Sequence, residues 1–104
     1  MEQSSIFLEN VDFEKLLSDF QGYFKPIFHI STSKNATYVF IVEQFYMRTL
    51  SNLTITVVFE RLREDIIKIH VMVSGGGTGL FQLSYGAERS ALKKFITFFN
   101  YYLS

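Results

Sequence analysis

Between His70 and Gly86 the chain reads HVMVSGGGTGLFQLSYG, with four glycines in the stretch Gly75 to Gly79. A glycine-rich loop cradles a phosphate when its backbone N–H groups converge on the anion and a helix N-terminus follows to add donors and dipole. A Walker-type loop also ends in Lys-Ser/Thr, and a dinucleotide fingerprint runs strand, glycines, helix. Here SGGGTG is followed by LFQLSY, whose Phe81, Leu83 and Tyr85 alternate with Gln82 and Ser84 as a strand does, and no lysine is present. The segment therefore reads as a hairpin turn, where glycines supply positive φ and admit bulges without steric cost. What remains of the phosphate reading is a backbone nest of Ser74, Gly75, Gly76 and Thr78 that accepts an anion.

The other groups able to do chemistry are sparse. His29 and His70 are the two histidines. They form no His-x-His or His-x-x-x-His pair, and a metal would need a third ligand. Both read as half-exposed strand residues. Glu43, Glu60, Glu64 and Asp65 sit near strand ends, where a carboxylate pair can do acid–base work. No nucleophile–base set is visible, so solvated turn carboxylates are the plainer reading. The chain has no cysteine, which excludes a thiol nucleophile, thiolate metal sites and a disulfide scaffold, and fits a reducing cytoplasm. No catalytic residue, metal ligand or cofactor site is assigned from these residues.

Charge narrows the partners. Ten basic residues balance ten acidic ones, and Arg61 and Arg63 are interleaved with Glu60, Glu64 and Asp65. A nucleic-acid binder leaves a basic footprint, and none is written here. The start, MEQSSIFLEN, has no basic region followed by an apolar core, so it does not read as a signal peptide. No apolar run approaches the roughly 18 residues of a membrane span. A cytoplasmic protein is the expectation. The sequons at Asn35 and Asn52 then read as chance matches in turns. A net charge of zero gives little protection against self-association.

The elements that must position these residues are legible from periodicity. SSIFLEN predicts a short strand over roughly residues 4–9. VDFEKLLSDFQGYF predicts a helix, because Phe13, Leu16, Leu17, Phe20 and Phe24 fall on one face. Asn10 or Asp12 is placed to cap its start, and Pro26 cannot continue it. PIFHIST, TYVFIVEQFYM, NLTITVVFE, DIIKIHVMV and LFQLSY then predict strands, joined by short polar or glycine-rich connections that favour antiparallel hairpins. AERSALKKFITFFNYYL predicts a long helix with Leu92, Phe95, Ile96, Phe99, Tyr102 and Leu103 on its core stripe and Glu88 in its first turn. The expectation is one α+β domain spanning residues 1–104. Its antiparallel meander sheet has five to six strands, and both helices pack on one face.

The aromatic load sharpens the function. Twelve Phe and six Tyr, with no Trp, exceed what one small core needs, since each buried ring removes about 150–250 Å² from water. The surplus belongs at a ligand site or a subunit interface. Phe98 and Tyr101 fall off the core stripe of the last helix, and Val39, Ile41, Phe45, Val58 and Met72 crowd the wet side of the sheet. Phe45, His70, Phe95, Phe98, Phe99, Tyr101 and Tyr102 are accordingly the candidate ligand or interface residues. The expectation is a non-enzymatic binding or protein-interaction domain, a homodimer, with the apolar sheet face covered by the second copy or by a third layer.

Two resemblances accompany this reading. The stretch from Val42 to Phe95, with paired strands leading to the Ser74-Gly75-Gly76 turn and a Gly86-Ala87-Glu88 helix start, resembles a family of small bacterial proteins known only as a domain of unknown function. That resemblance implies a bacterial cytoplasmic origin and no activity, and carries over only Ser74, Gly75 and Gly76. The element order is also similar to that of the helix-grip lipid-binding folds. This implies, as the alternative function, an apolar small molecule held by Phe95, Phe99 and Tyr102 against Phe40, Tyr46 and Phe59.

Overall fold

The computed structural model describes residues 2–32, 37–46, 51–75 and 83–102, and side chains at 3–32, 37–44, 52–74 and 89–102. Its elements are β1 (Glu2–Glu9), α1 (Phe13–Phe24), β2 (Phe28–Ser31), β3 (Thr37–Tyr46), β4 (Ser51–Arg63), β5 (Ile66–Gly75) and α2 (Leu83–Asn100). The class is α+β, with two helices and a five-stranded antiparallel sheet in the order β1-β5-β4-β3-β2. Consecutive strands β2 to β5 form the meander, and β1 returns to pair with β5 from Glu2↔Val73 to Glu9↔Ile66.

Helix α1 starts where the carboxylate of Asp12 accepts the backbone N–H of Lys15 at 3.2 Å, satisfying one of the orphan donors of the first turn. It stops at Lys25, whose left-handed φ of 50° turns the chain while its N–H reaches the Gln21 carbonyl. Asn10 takes the other positive φ, a conformation its short side chain tolerates, and its N–H ties the exit of β1 to the β4–β5 turn at the Asp65 carbonyl.

One expectation is overturned. LFQLSY is not a sixth strand: Leu83, Ser84 and Tyr85 lie in α2, whose helix starts four residues earlier than Ala87 and leaves Glu88 beyond its first turn. The physical reason is period. Three alternating apolar positions do not separate a strand from a helix, whereas Leu83 and Ala87 continue the four-residue row of Ala91, Phe95 and Phe99. Adding residues to a helix that already exists is cheap.

The core occupies one face of the sheet. Register places Leu8, Ile67, Ile69, Val71, Val73, Leu53, Ile55, Val57, Phe59, Phe40 and Val42 on that face, and all are buried. From α1, Phe13, Leu16, Leu17, Phe20 and Phe24 join them, and from α2, Ala91, Phe95 and Phe99. Phe20 is the hub. Its ring centroid lies 5.2 Å from Phe40, 5.3 Å from Phe59, 6.1 Å from Phe95 and 5.8 Å from Phe99. Edge-to-face and offset pairs of this kind add to the gain from area burial. Among the described residues, no helix is long and apolar enough to cross a membrane.

Candidate functional site

The core absorbs seven phenylalanines, Phe13, Phe20, Phe24, Phe40, Phe59, Phe95 and Phe99. Phe95 and Phe99, named as ligand or interface candidates, are spent there with no exposed surface. Phe20 lies between them and Phe40 and Phe59, where a helix-grip cavity would open. The described part of that cavity is therefore filled, because α1 sends a large ring into it. The Tyr46 and Phe45 side chains lie outside the described residues.

Among the described side chains, Tyr23 and Phe98 of the helices meet, with Tyr101 and Tyr102, in a groove between α1 and α2. On α1, Ser18 and Gly22 form one four-residue row and Asp19 and Tyr23 the next. On α2, Ser90, Lys93, Lys94, Thr97 and Phe98 recur at three- and four-residue spacing, so they share a stripe, which Tyr101 continues just past the helix end. These two stripes, with Tyr102, line a groove of about 830 Å³. Tyr23 and Phe98 stack across it with ring centroids 5.4 Å apart, and Phe98 also meets Phe24 at 5.2 Å and Tyr102 at 5.6 Å. Tyr101 is 86% exposed at its rim. Phe98, Tyr101 and Tyr102 were all candidate residues of the sequence reading, whereas α1's contribution was not anticipated. The unused row of Ser18, Gly22 and Tyr23 beside the apolar stripe was the available signal.

One contact closes the end of the groove. Past Asn100 the chain turns, with the Tyr101 N–H donating to Phe98 and the Tyr102 N–H to Phe99. This turn delivers the Tyr102 hydroxyl to the Asp19 carboxylate, to which it donates a short hydrogen bond. That bond, assisted by the Lys15 ammonium 3.5 Å away, holds the Asp19 carboxyl below the ordinary carboxylate range. Partial burial, and then the bond to Asp19, push the Tyr102 phenol up to about 12.

The signs define a window for this tie. A raised phenol pKa contributes in full below the ordinary value of 10.0 and is lost as pH climbs through about 12. A lowered carboxyl pKa contributes above 3.8 and is lost as pH falls through the folded value. The tie therefore contributes in full between pH 3.8 and 10.0 and fades beyond those limits. In Tyr102→Phe, the late phenolate step should vanish from an ultraviolet absorbance titration, and the Asp19 carboxyl should titrate at higher pH by NMR. An unchanged Asp19 titration would contradict the contact.

The other face of the sheet carries a second arrangement. Register aligns Ser5, His70, Val58, Val39 and Ile30 in one row across all five strands. Ser5 Oγ is hydrogen-bonded to His70 Nδ1 at 2.9 Å, and His70 Nε2 to Glu60 Oε1 at 2.8 Å. Gln3, Ser4, Ser5, Val58, His70 and Met72 line a shallow hollow there of about 520 Å³. This is the connectivity of nucleophile, base and orienting carboxylate. It was not visible in the sequence, because Ser5 and His70 are 65 residues apart and meet only through the β1–β5 register. On the same face, Phe28, Ile30 and Phe7 are exposed, and Val39, Ile41, Val58 and Met72 are half-buried.

His29 stands apart from His70. It pairs with Phe40 on the core side of the sheet and stacks on its ring at 5.8 Å, so the two histidines lie on opposite faces and cannot share a metal. Among the described residues, no group of three or more His, Cys, Asp or Glu is placed to hold one.

The glycine loop is corrected too. Ser74 and Gly75 belong to β5, opposite Thr54 and Leu53, and the next described element is α2. The segment thus joins a strand to a helix and not two strands, although no Lys-Ser/Thr ends it. Gly76 and Thr78 of the candidate nest lie outside the described residues.

No curated protein and no solved structure matches the chain. A family model does match, over residues 6–103, from β1 through α2. The chain belongs to the family of unknown function DUF6054.

Proposed function

We propose that the protein is a non-enzymatic binding domain that works as a homodimer. Both helices lie over the buried face of a single domain, the groove between them is the ligand seat, and two copies meet through the opposite face. The observation that carries this reading is the groove itself. Ligand sites are concave and mostly apolar with a few polar groups, in a range of about 300–1,000 Å³, and this groove has Tyr23, Phe98, Tyr101 and Tyr102 in about 830 Å³. The contacts of Phe20 with Phe40 and Phe59, and of Phe99 with Phe59, support the placement of the helices. Pairing through the opposite face is supported by Phe28 and Ile30, 46% and 59% exposed, beside Val39 and Ile41.

Native mass spectrometry of the gently purified protein tests both parts. A species at twice the 12.1 kDa chain mass, carrying a discrete extra mass, supports them. A bare monomer at every concentration removes them.

The hydrogen-bonded chain Ser5–His70–Glu60 favours a second reading, a nucleophilic serine. Ser5 is exposed, and acyl transfer needs donors aimed at the developing oxyanion in a site that excludes water. The binding reading therefore predicts that a fluorophosphonate probe leaves Ser5 unmodified. In the competing case Ser5 Oγ attacks phosphorus, fluoride departs, the serine proton passes to His70, and His70→Gln abolishes the labelling. Intact mass after incubation separates the two.

A further inference from the structure

We infer that the groove between α1 and α2 selects a small amphipathic anion, an apolar body carrying one anionic group; this rests on the groove's being the ligand seat. The groove's charges decide the sign. Asp19 is its one carboxylate among the lining residues, and it is already committed, accepting from Tyr102 and paired with Lys15. Lys93 and Lys94 line the same groove, and among the described residues neither belongs to an ion pair. Lys94 is exposed, and its ammonium lies 6.0 Å from the centre of the Phe24 ring. Two ammonium groups beside one committed carboxylate in the same aromatic-lined groove leave a positive field there. An anion is attracted there, and a cation is repelled.

The shape fits a compact body. An ideal Cβ built on Gly22 meets nothing within 4 Å. Glycine inside a helix is destabilising relative to alanine. Here it keeps the α1 wall bare beside Tyr23 and Phe98. An apolar segment of a ligand can reach the Tyr23–Phe98 stack there while its charged end stays at Lys93 and Lys94. A charge-neutral protein with two ammonium groups among the described residues that line the groove does not suit a polyanion.

The test compares dodecanoate, dodecanol and dodecyltrimethylammonium, each below its micelle concentration, by isothermal titration calorimetry on the full chain. Tyrosine fluorescence provides a second readout, because the chain has no tryptophan. Dodecanoate should bind about tenfold more tightly than dodecanol, the size expected for two partly exposed charge contacts, and the cation more weakly than either. Lys93→Gln with Lys94→Gln should bring dodecanoate to the dodecanol level and leave dodecanol unchanged. Gly22→Phe, which fills the groove, should abolish all binding without lowering the melting temperature. Equal affinity for anion and alcohol, or preference for the cation, overturns the inference while the groove remains a ligand seat. Absence of binding by all three overturns both. Binding only to vesicles of anionic lipid overturns the inference in favour of a membrane-surface role.

Discussion

Replacing Phe20 by alanine is expected to destabilise the protein by about 3–5 kcal/mol, the usual range for removing a buried phenylalanine ring. The upper half of that range applies. The ring has no exposed surface and touches both helices and the sheet, through Phe24, Phe40, Phe59, Phe95, Phe98 and Phe99. Neighbours on three elements cannot all collapse into the void at once, so the cavity term stays large. Against a total stability of roughly 5–15 kcal/mol for an ordinary domain, the variant should be marginal. Urea unfolding followed by circular dichroism measures the shift in midpoint. Tyr23→Ala, at a ring 62% exposed, is the control and should cost well under half as much. If the two substitutions cost the same, Phe20 is not the hub of the core.

The second large effect is expected at the sheet surface. Phe28→Glu with Ile30→Glu should convert a dimer into a monomer. Both side chains stand on β2, two residues apart, opposite Ile41 and Val39. In an isolated chain they are exposed, and such positions usually tolerate substitution within about 0.5 kcal/mol. In a pair of copies meeting through this face they are the large apolar anchors. Each truncated anchor costs about 2 kcal/mol or more at the centre of an interface, and like charges brought together add to that. Association should be weakened by more than about a hundredfold. Sedimentation velocity across a range of concentrations gives the subunit count. An unchanged dimer would show that the copies meet elsewhere, and a variant that melts far below the parent would show that these residues stabilise the monomer itself.

The chain by itself determined the elements whose signal is local. The period of Phe13, Leu16, Leu17, Phe20 and Phe24 is that of α1, because a helix brings residues three and four apart onto one face. Alternation in NLTITVVFE and DIIKIHVMV is that of β4 and β5, and the buried set, from Leu53 to Phe59 and Ile67 to Val73, is the one alternation marks. Off-stripe Phe98 and Tyr101 were likewise visible as residues the core does not use. Where the local signal was short it misled: LFQLSY alternates over too few residues to distinguish strand from helix, and α2 claims Leu83 to Tyr85. Tertiary structure alone decided the rest. The Ser5–His70–Glu60 chain depends on β1 pairing with β5 in one register, and a slip of one residue would turn Ser5 to the other face. The groove depends on two helices whose stripes are brought together and tied by Tyr102 to Asp19, 83 residues away. Local periodicity states which face of an element is buried; which elements then share that burial is settled only by the packing of the whole core.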